Sequence, residues 1–161
     1  MKASYFSKDV QDFLKLLTDH DVKYLIVGGE AVIYYGHARL TGDIDFFYQS
    51  TKKNAAKLYR ALDEFWGGDI PGIGALEELM EPGIILQFGV PPNRIDLLNR
   101  ISGITFEEAW KGKKTIRIET GGREILIYLI GLKELIKNKE AIGRPKDLED
   151  LKYLKRQKGE V

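Results

Sequence analysis

Two aspartates one residue apart, Asp43 and Asp45, lie in apolar sequence between Gly42 and Phe46–Phe47. Side chains alternate faces along a strand, so a strand over Asp43–Gln49 points both carboxylates the same way. Unpartnered charge in such surroundings costs several kcal/mol. A divalent cation relieves that cost, and Mg²⁺ is held by carboxylate and phosphate oxygens. The plainer alternative is an acidic strand start, with Asp43 capping a turn. Asp96 is a third acid inside an apolar run, Arg94-Ile95-Asp96-Leu97-Leu98. Two-metal phosphoryl transfer uses such a carboxylate to bind one metal and to orient or deprotonate the attacking hydroxyl. The alternative for Asp96 is a salt bridge to Arg94 or Arg100. Acids that bridge metals must come within ~4–6 Å of each other, because metal–oxygen bonds are near ~2.1 Å.

A glycine pair, Gly28 and Gly29, ends the apolar run that precedes this acidic pair. Glycines opening a helix leave backbone N–H groups free for a phosphate; the alternative is a tight strand-to-helix turn. Glu30 follows at once, so a phosphate must approach the glycine backbone and not that side chain. Arg39 suits phosphate charge or a site carboxylate, or is a solvated loop residue. Thr41 suits a side-chain bond that holds the turn. Lys137, Lys139, Arg144 and Lys146 form a basic cluster followed by Asp147 and Asp150. Charge pairs on a helix surface are the usual explanation of such a pattern. His20 and His37 lack metal-ligand spacing and read as structural. Tyr34, Tyr35, Phe46, Phe47 and Tyr48 read as core.

The elements that must position these groups follow from periodicity and punctuation. Ser7 caps a helix with Val10, Phe13, Leu14 and Leu17 on one face, ending near Asp21. Lys23–Val27 reads as a buried strand, Gly29–His37 as a short helix, and Asp43–Gln49 as a strand. Thr51 caps a helix to about Phe65. A glycine-rich loop follows, with a short helix near Leu76–Met80. Ile84–Val90 and Arg94–Leu98 read as strands around a Pro91-Pro92-Asn93 turn. Thr105 caps a short helix to Trp110, and Thr115–Ile118 with Glu124–Tyr128 form a hairpin. Two helices close the chain, about Leu132–Ala141 and Lys146–Lys155, with Pro145 where a first helical turn tolerates it. The fold class is α+β, a mixed sheet flanked by helices.

Composition bounds the rest. The 161 residues suit one domain, residues 1–161, with its own core. Hydrophobic and charged shares of 43% and 30% are those of a globular protein. A net charge of +1 gives no bulk attraction to nucleic acid or membranes. The absence of cysteine excludes disulfides and thiolate chemistry. No apolar run approaches the ~20 residues of a membrane span. The opening MKASYFSKDV lacks a signal-peptide core, so a cytoplasmic location and no membrane partner are expected.

The pattern Gly28-Gly29, a short helix, then Asp43-Ile44-Asp45 resembles the signature of the nucleotidyltransferase superfamily, the DNA polymerase β-like fold. The string Arg39–Asp45, RLTGDID, resembles its minimal and abortive-infection-type prokaryotic branch. So do LIKNK from Leu135 to Lys139 and GRPKDLED from Gly143 to Asp150. The resemblance spans roughly residues 24–150. It implies a nucleotidyltransferase-like mixed sheet flanked by helices, with Asp43 and Asp45 as the metal pair and Asp96 as the third acid. Gly28 and Gly29 would hold the triphosphate, and Lys139 and Asp147 would serve the site from the tail. Many active members have Ser where this chain has Gly29. The implied activity moves an NMP group from an NTP such as ATP, with Mg²⁺ or Mn²⁺, to a hydroxyl of a protein, an RNA or a small molecule. A toxin–antitoxin or defence setting is implied by the family alone. The alternative is a nucleotide-binding module of the same fold that docks on a partner. The oligomeric state is not specified by these motifs.

Overall fold

The computed structural model describes residues 1–159. Its helices are α1 (Lys8–Asp19), α2 (Gly28–Tyr34), α3 (Lys52–Phe65), α4 (Phe106–Lys111), α5 (Leu132–Ile142) and α6 (Pro145–Gln157). Its strands are β1 (Tyr24–Val27), β2 (Asp43–Tyr48), β3 (Ile85–Phe88), β4 (Arg94–Leu98), β5 (Lys114–Thr120) and β6 (Arg123–Leu129). The caps expected from sequence are formed: Ser7, Thr51 and Thr105 accept from the N–H groups of Val10, Asn54 and Glu108. Such a cap supplies a partner to a helical N–H that the helix itself leaves unpaired, typically worth ~1 kcal/mol. Boundaries shift modestly. The first helix stops at Asp19, and Asp21 is left-handed with φ 54°. The helix expected over Gly29–His37 ends at Tyr34, and Leu76–Met80 is a 3₁₀ turn. A further 3₁₀ turn spans Ala3–Tyr5.

The strands form one mixed sheet in the order β3-β4-β2-β1-β6-β5. β1 is antiparallel to β2, and β2 is parallel to β4. The outer pairs β3–β4 and β5–β6 are antiparallel, while β6 runs parallel to β1. The strand β1 is buried throughout, and Ile44, Phe46 and Phe47 of β2 with Ile95 and Leu97 of β4 are buried beside it, because helices cover both faces. On one face Phe46 meets Phe13 of α1, ring centroids 5.3 Å apart. On the other Phe47 meets Phe106 of α4, also at 5.3 Å. Each such fully buried ring contributes roughly 1.5–3 kcal/mol of transfer free energy. These neighbouring residues on opposite faces fix the register, since a slip of one residue would invert every side chain. Asp43 and Asp45 therefore share the face of Phe47. Among the described residues, no helix is long and apolar enough to cross a membrane.

Candidate active site

The parallel ladder between β2 and β4 sets Asp43 opposite Arg94 and Asp45 opposite Asp96. All four side chains thus lie on one face. One carboxylate oxygen from each of Asp43, Asp45 and Asp96 lies within 4.8 Å of the other two. The structure brings these three sequence-identified acids together, within the span that shared metal ligation demands. The salt-bridge alternative for Asp96 is realised as well. Arg94 donates from Nε to Asp96 Oδ1 at 2.8 Å and from Nη2 to Asp96 Oδ2 at 3.0 Å. The same Nη2 reaches Asp43 Oδ2 at 2.7 Å. Arg100, the other cation near Asp96 in sequence, lines a cleft instead. Gln87 adds a longer bond to Asp96, 3.4 Å.

Asp45 is the carboxylate that Arg94 does not reach. Burial first, then the negative charges of Asp43 and Asp96, push its carboxyl up to about 7, with Arg94 opposing. Two ionised neighbours and little water disfavour a third negative charge. The three hard oxygen donors and this excess of negative charge fit a divalent cation.

Gly28 and Gly29 stand against this group. Gly28 has φ 65°, and a Cβ there would collide with the carboxylate of Asp45. Only glycine combines that backbone with that approach. Gly29 is crowded for another reason: a Cβ would sit 2.6 Å from Thr41 Oγ1 and 3.0 Å from Thr41 Cβ, so a larger residue requires Thr41 to shift. Thr41 in turn donates to Asp43, with its backbone oxygen and Oδ1 both 3.3 Å away. Thr41 therefore holds the turn into β2, and it crowds the Cβ position of any side chain at 29. Glu30 faces Tyr5, whose hydroxyl donates to it at 2.6 Å. Burial, then the charge of Asp43, raise the Glu30 carboxyl above its ordinary value, against the Tyr5 bond.

The tail supplies a second cluster, and here the surface-pair explanation is overturned for Lys139. Lys137 does pair on the surface, with Glu108 at 3.0 Å. Lys139 is buried, its ammonium 3.0 Å from Asp147 and 3.2 Å from Asp150, two buried carboxylates. Gly143, left-handed with φ 67°, turns the chain between α5 and α6. The three-residue spacing of Asp147 and Asp150 then sets both on the side of α6 that meets α5. Arg39 joins through Nε and Nη2, 3.0 and 3.2 Å from Asp150, so it is not a solvated loop residue. His37 Nδ1 also meets Asp150 at 3.0 Å, and its ring stacks on Tyr153 at 3.8 Å. No spacing along the chain signals this pairing across more than a hundred residues. Asp147 is further bound by Arg144, Nε to Oδ2 at 2.7 Å. Burial alone would raise the Asp147 carboxyl; Arg144 and Lys139 outweigh it and hold it at about 2. Asp147 is fully buried, so it meets the site through these two cations.

A cleft of about 560 Å³ joins the two clusters. Gly28 and Asp45 line it on one side, Lys139 and Arg144 on another, with Ile85 and Leu98 among its apolar residues. A hollow of about 710 Å³ near Asp12 and Trp66 holds none of these groups. Size alone does not locate the site; the convergence of acids, cations and a glycine turn does. Such a cleft can seat an anionic chain beside a metal, with an apolar group beyond it.

Residues 7–155 match a family model described as "Nucleotidyltransferase of unknown function (DUF6036)". No curated protein matches the chain.

Proposed function

The chain belongs to this nucleotidyltransferase family, and from that membership we propose that it moves a nucleoside monophosphate from an NTP to an acceptor hydroxyl, using Mg²⁺ or Mn²⁺. The observation that carries the reading is the convergence of Asp43, Asp45 and Asp96 within 4.8 Å, beside a cleft that also presents Gly28, Lys139 and Arg144.

Asp43, Asp45 and Asp96 would hold the metal, which supplies charge neutralisation at the phosphates and lowers the barrier to attack on phosphorus. The chain's own residues do the rest. The Gly28–Gly29 turn, packed against Asp45 and Thr41, would offer its backbone N–H groups to the polyphosphate. Thr41 anchors the start of β2 and so the direction of Asp43. Arg39 and Asp147 fix the tail cluster, and Lys139 with its neighbours gives the cleft a cationic wall. The acceptor oxygen attacks the α-phosphorus, the bond to the bridging oxygen breaks, and pyrophosphate leaves. Asp96 takes the hydroxyl proton. Positioning and charge complementarity account for most of the acceleration in transfers of this kind. The acceptor is a protein side chain, an RNA end or a small molecule. A toxin–antitoxin or phage-defence role is supported by the family resemblance only.

A second reading is a nucleotide-binding or partner-docking module. It is favoured by Arg94, which already satisfies Asp43 and Asp96 without a metal. Incubation with α-labelled NTPs, Mg²⁺ and protein or RNA acceptors separates the two. Transfer lost in the Asp43→Ala, Asp45→Ala double variant supports the enzyme. Transfer that survives it removes the metal mechanism. A stoichiometric partner complex indifferent to that double change, with no transfer, supports the module.

A further inference from the structure

The tail cluster joins three permanent cations, Arg39, Lys139 and Arg144, to two carboxylates, Asp147 and Asp150. One positive charge is therefore left over, and burial decides which side chain can present it. Lys139 is 3% exposed and its ammonium serves both carboxylates, which are 0% and 1% exposed. Drawing it out to a ligand would take from both buried carboxylates the cation they share. Arg39 is committed to Asp150 through two nitrogens. Arg144 differs, with a side chain 56% exposed. It spends Nε and Nη2 on Asp147, and a guanidinium has five N–H donors. Its remaining donors are free for a ligand in the cleft it shares with Asp45 and Gly28. Asp45 is near enough for its charge to act on Arg144.

Building on the nucleotidyl-transfer reading, we infer that Arg144 is the side chain that grips the polyphosphate end of the nucleotide, while Lys139 is a buried pivot that fixes Arg144 through Asp147. The resemblance gives Lys139 a place at the site; burial and pairing put the phosphate contact on Arg144, the residue directly after Gly143. A planar guanidinium held along one edge by a carboxylate offers its other edge to two phosphate oxygens at once. The lysine, with its charge shared between two aspartates, has no such edge.

The test is calorimetric titration of the full chain with Mg²⁺-saturated tripolyphosphate, which carries no base, and separately with Mn²⁺ alone. Arg144→Gln is expected to weaken tripolyphosphate by about tenfold or more and to leave Mn²⁺ binding within about twofold. Arg144→Lys keeps the charge and should bind at an intermediate level. Wild-type tripolyphosphate affinity in the Gln variant overturns the assignment. Equal losses in the Lys and Gln variants, with matching drops in melting temperature, also overturn it, because Arg144 would then serve only the start of α6. Wild-type protein that binds neither Mn²⁺ nor tripolyphosphate removes the nucleotidyl-transfer reading together with this one. Binding that survives in Arg144→Gln removes only the role of Arg144.

Discussion

Asp45 stands directly opposite Asp96 in the parallel ladder of β2 and β4, and Arg94, two residues before Asp96, reaches Asp96 but not Asp45. The pair is therefore electrostatically unequal. One acid is neutralised by a guanidinium, and the other is left in a half-buried place where its proton is hard to lose. A cation entering the group must displace that proton.

The metal affinity is accordingly expected to depend on pH. Asp45 keeps its proton up to about 7, so Mn²⁺ affinity should rise by up to about tenfold per pH unit between ~5 and ~7 and level off above. Electron paramagnetic titration of free Mn²⁺ measures this. An affinity flat across that range contradicts it.

The same shift has a sign for stability without metal. A carboxyl whose folded value is raised binds its proton more tightly when folded, so its contribution falls as pH rises from the unfolded value near 3.8 through about 7. Asp45→Asn should then raise the melting temperature at pH 8 and leave it nearly unchanged at pH 4. An equal effect at both pH values would mean that charge is not the cause.

Arg94→Ala removes the cation that Asp43 and Asp96 share. The metal-free protein should be destabilised in urea unfolding, and saturating Mg²⁺ should return more stability to the variant than it gives the wild type. Identical Mg²⁺ stabilisation of both proteins would show that Arg94 and the ion do not answer the same charge.

Lys139→Met leaves Asp147 and Asp150 short of their shared cation, at an expected cost of about 3–5 kcal/mol by urea unfolding. The acid side is a separate test. Asp147 is held at about 2, below its ordinary 3.8. A depressed carboxyl stabilises above the unfolded value, and that stability is lost as pH falls through the folded one. Asp147→Asn should therefore flatten the stability loss between about pH 4 and 2, a component on the order of 1–2 kcal/mol.

Gly29→Ser is expected to destabilise, because its Cβ meets Thr41 Oγ1 at 2.6 Å. Adding Thr41→Ala removes that hydroxyl and should recover part of the loss, a coupling of about 0.5–2 kcal/mol in a double-mutant cycle. Additive losses would show that the two positions do not compete for the same space.

The local order of helices and strands was legible because each signal is carried by neighbours in sequence. Ser7, Thr51 and Thr105 cap their own first turns, and the apolar stripe of α1 is its own record of burial. Boundaries drifted where the deciding contact came from elsewhere. Gly36, with φ 110°, lies against Gln157 at the far end of the chain, and the α2 helix stops just before it.

The sequence by itself determined that Asp43 and Asp45 face one way, since period-two alternation needs only the strand, and that a glycine turn precedes them. It also carried the family signature, which residues 7–155 match. Only the tertiary structure decided which acids meet and which cations they meet. The β2–β4 register brings Asp96 to Asp45 and Arg94 to Asp43 across about fifty residues of chain. The α5–α6 packing buries Lys139 between two aspartates and leaves Arg144 exposed. Charges in a sequence are equivalent until folding removes water from some of them. Desolvation and pairing are properties of the assembled surface, and no spacing along the chain encodes them.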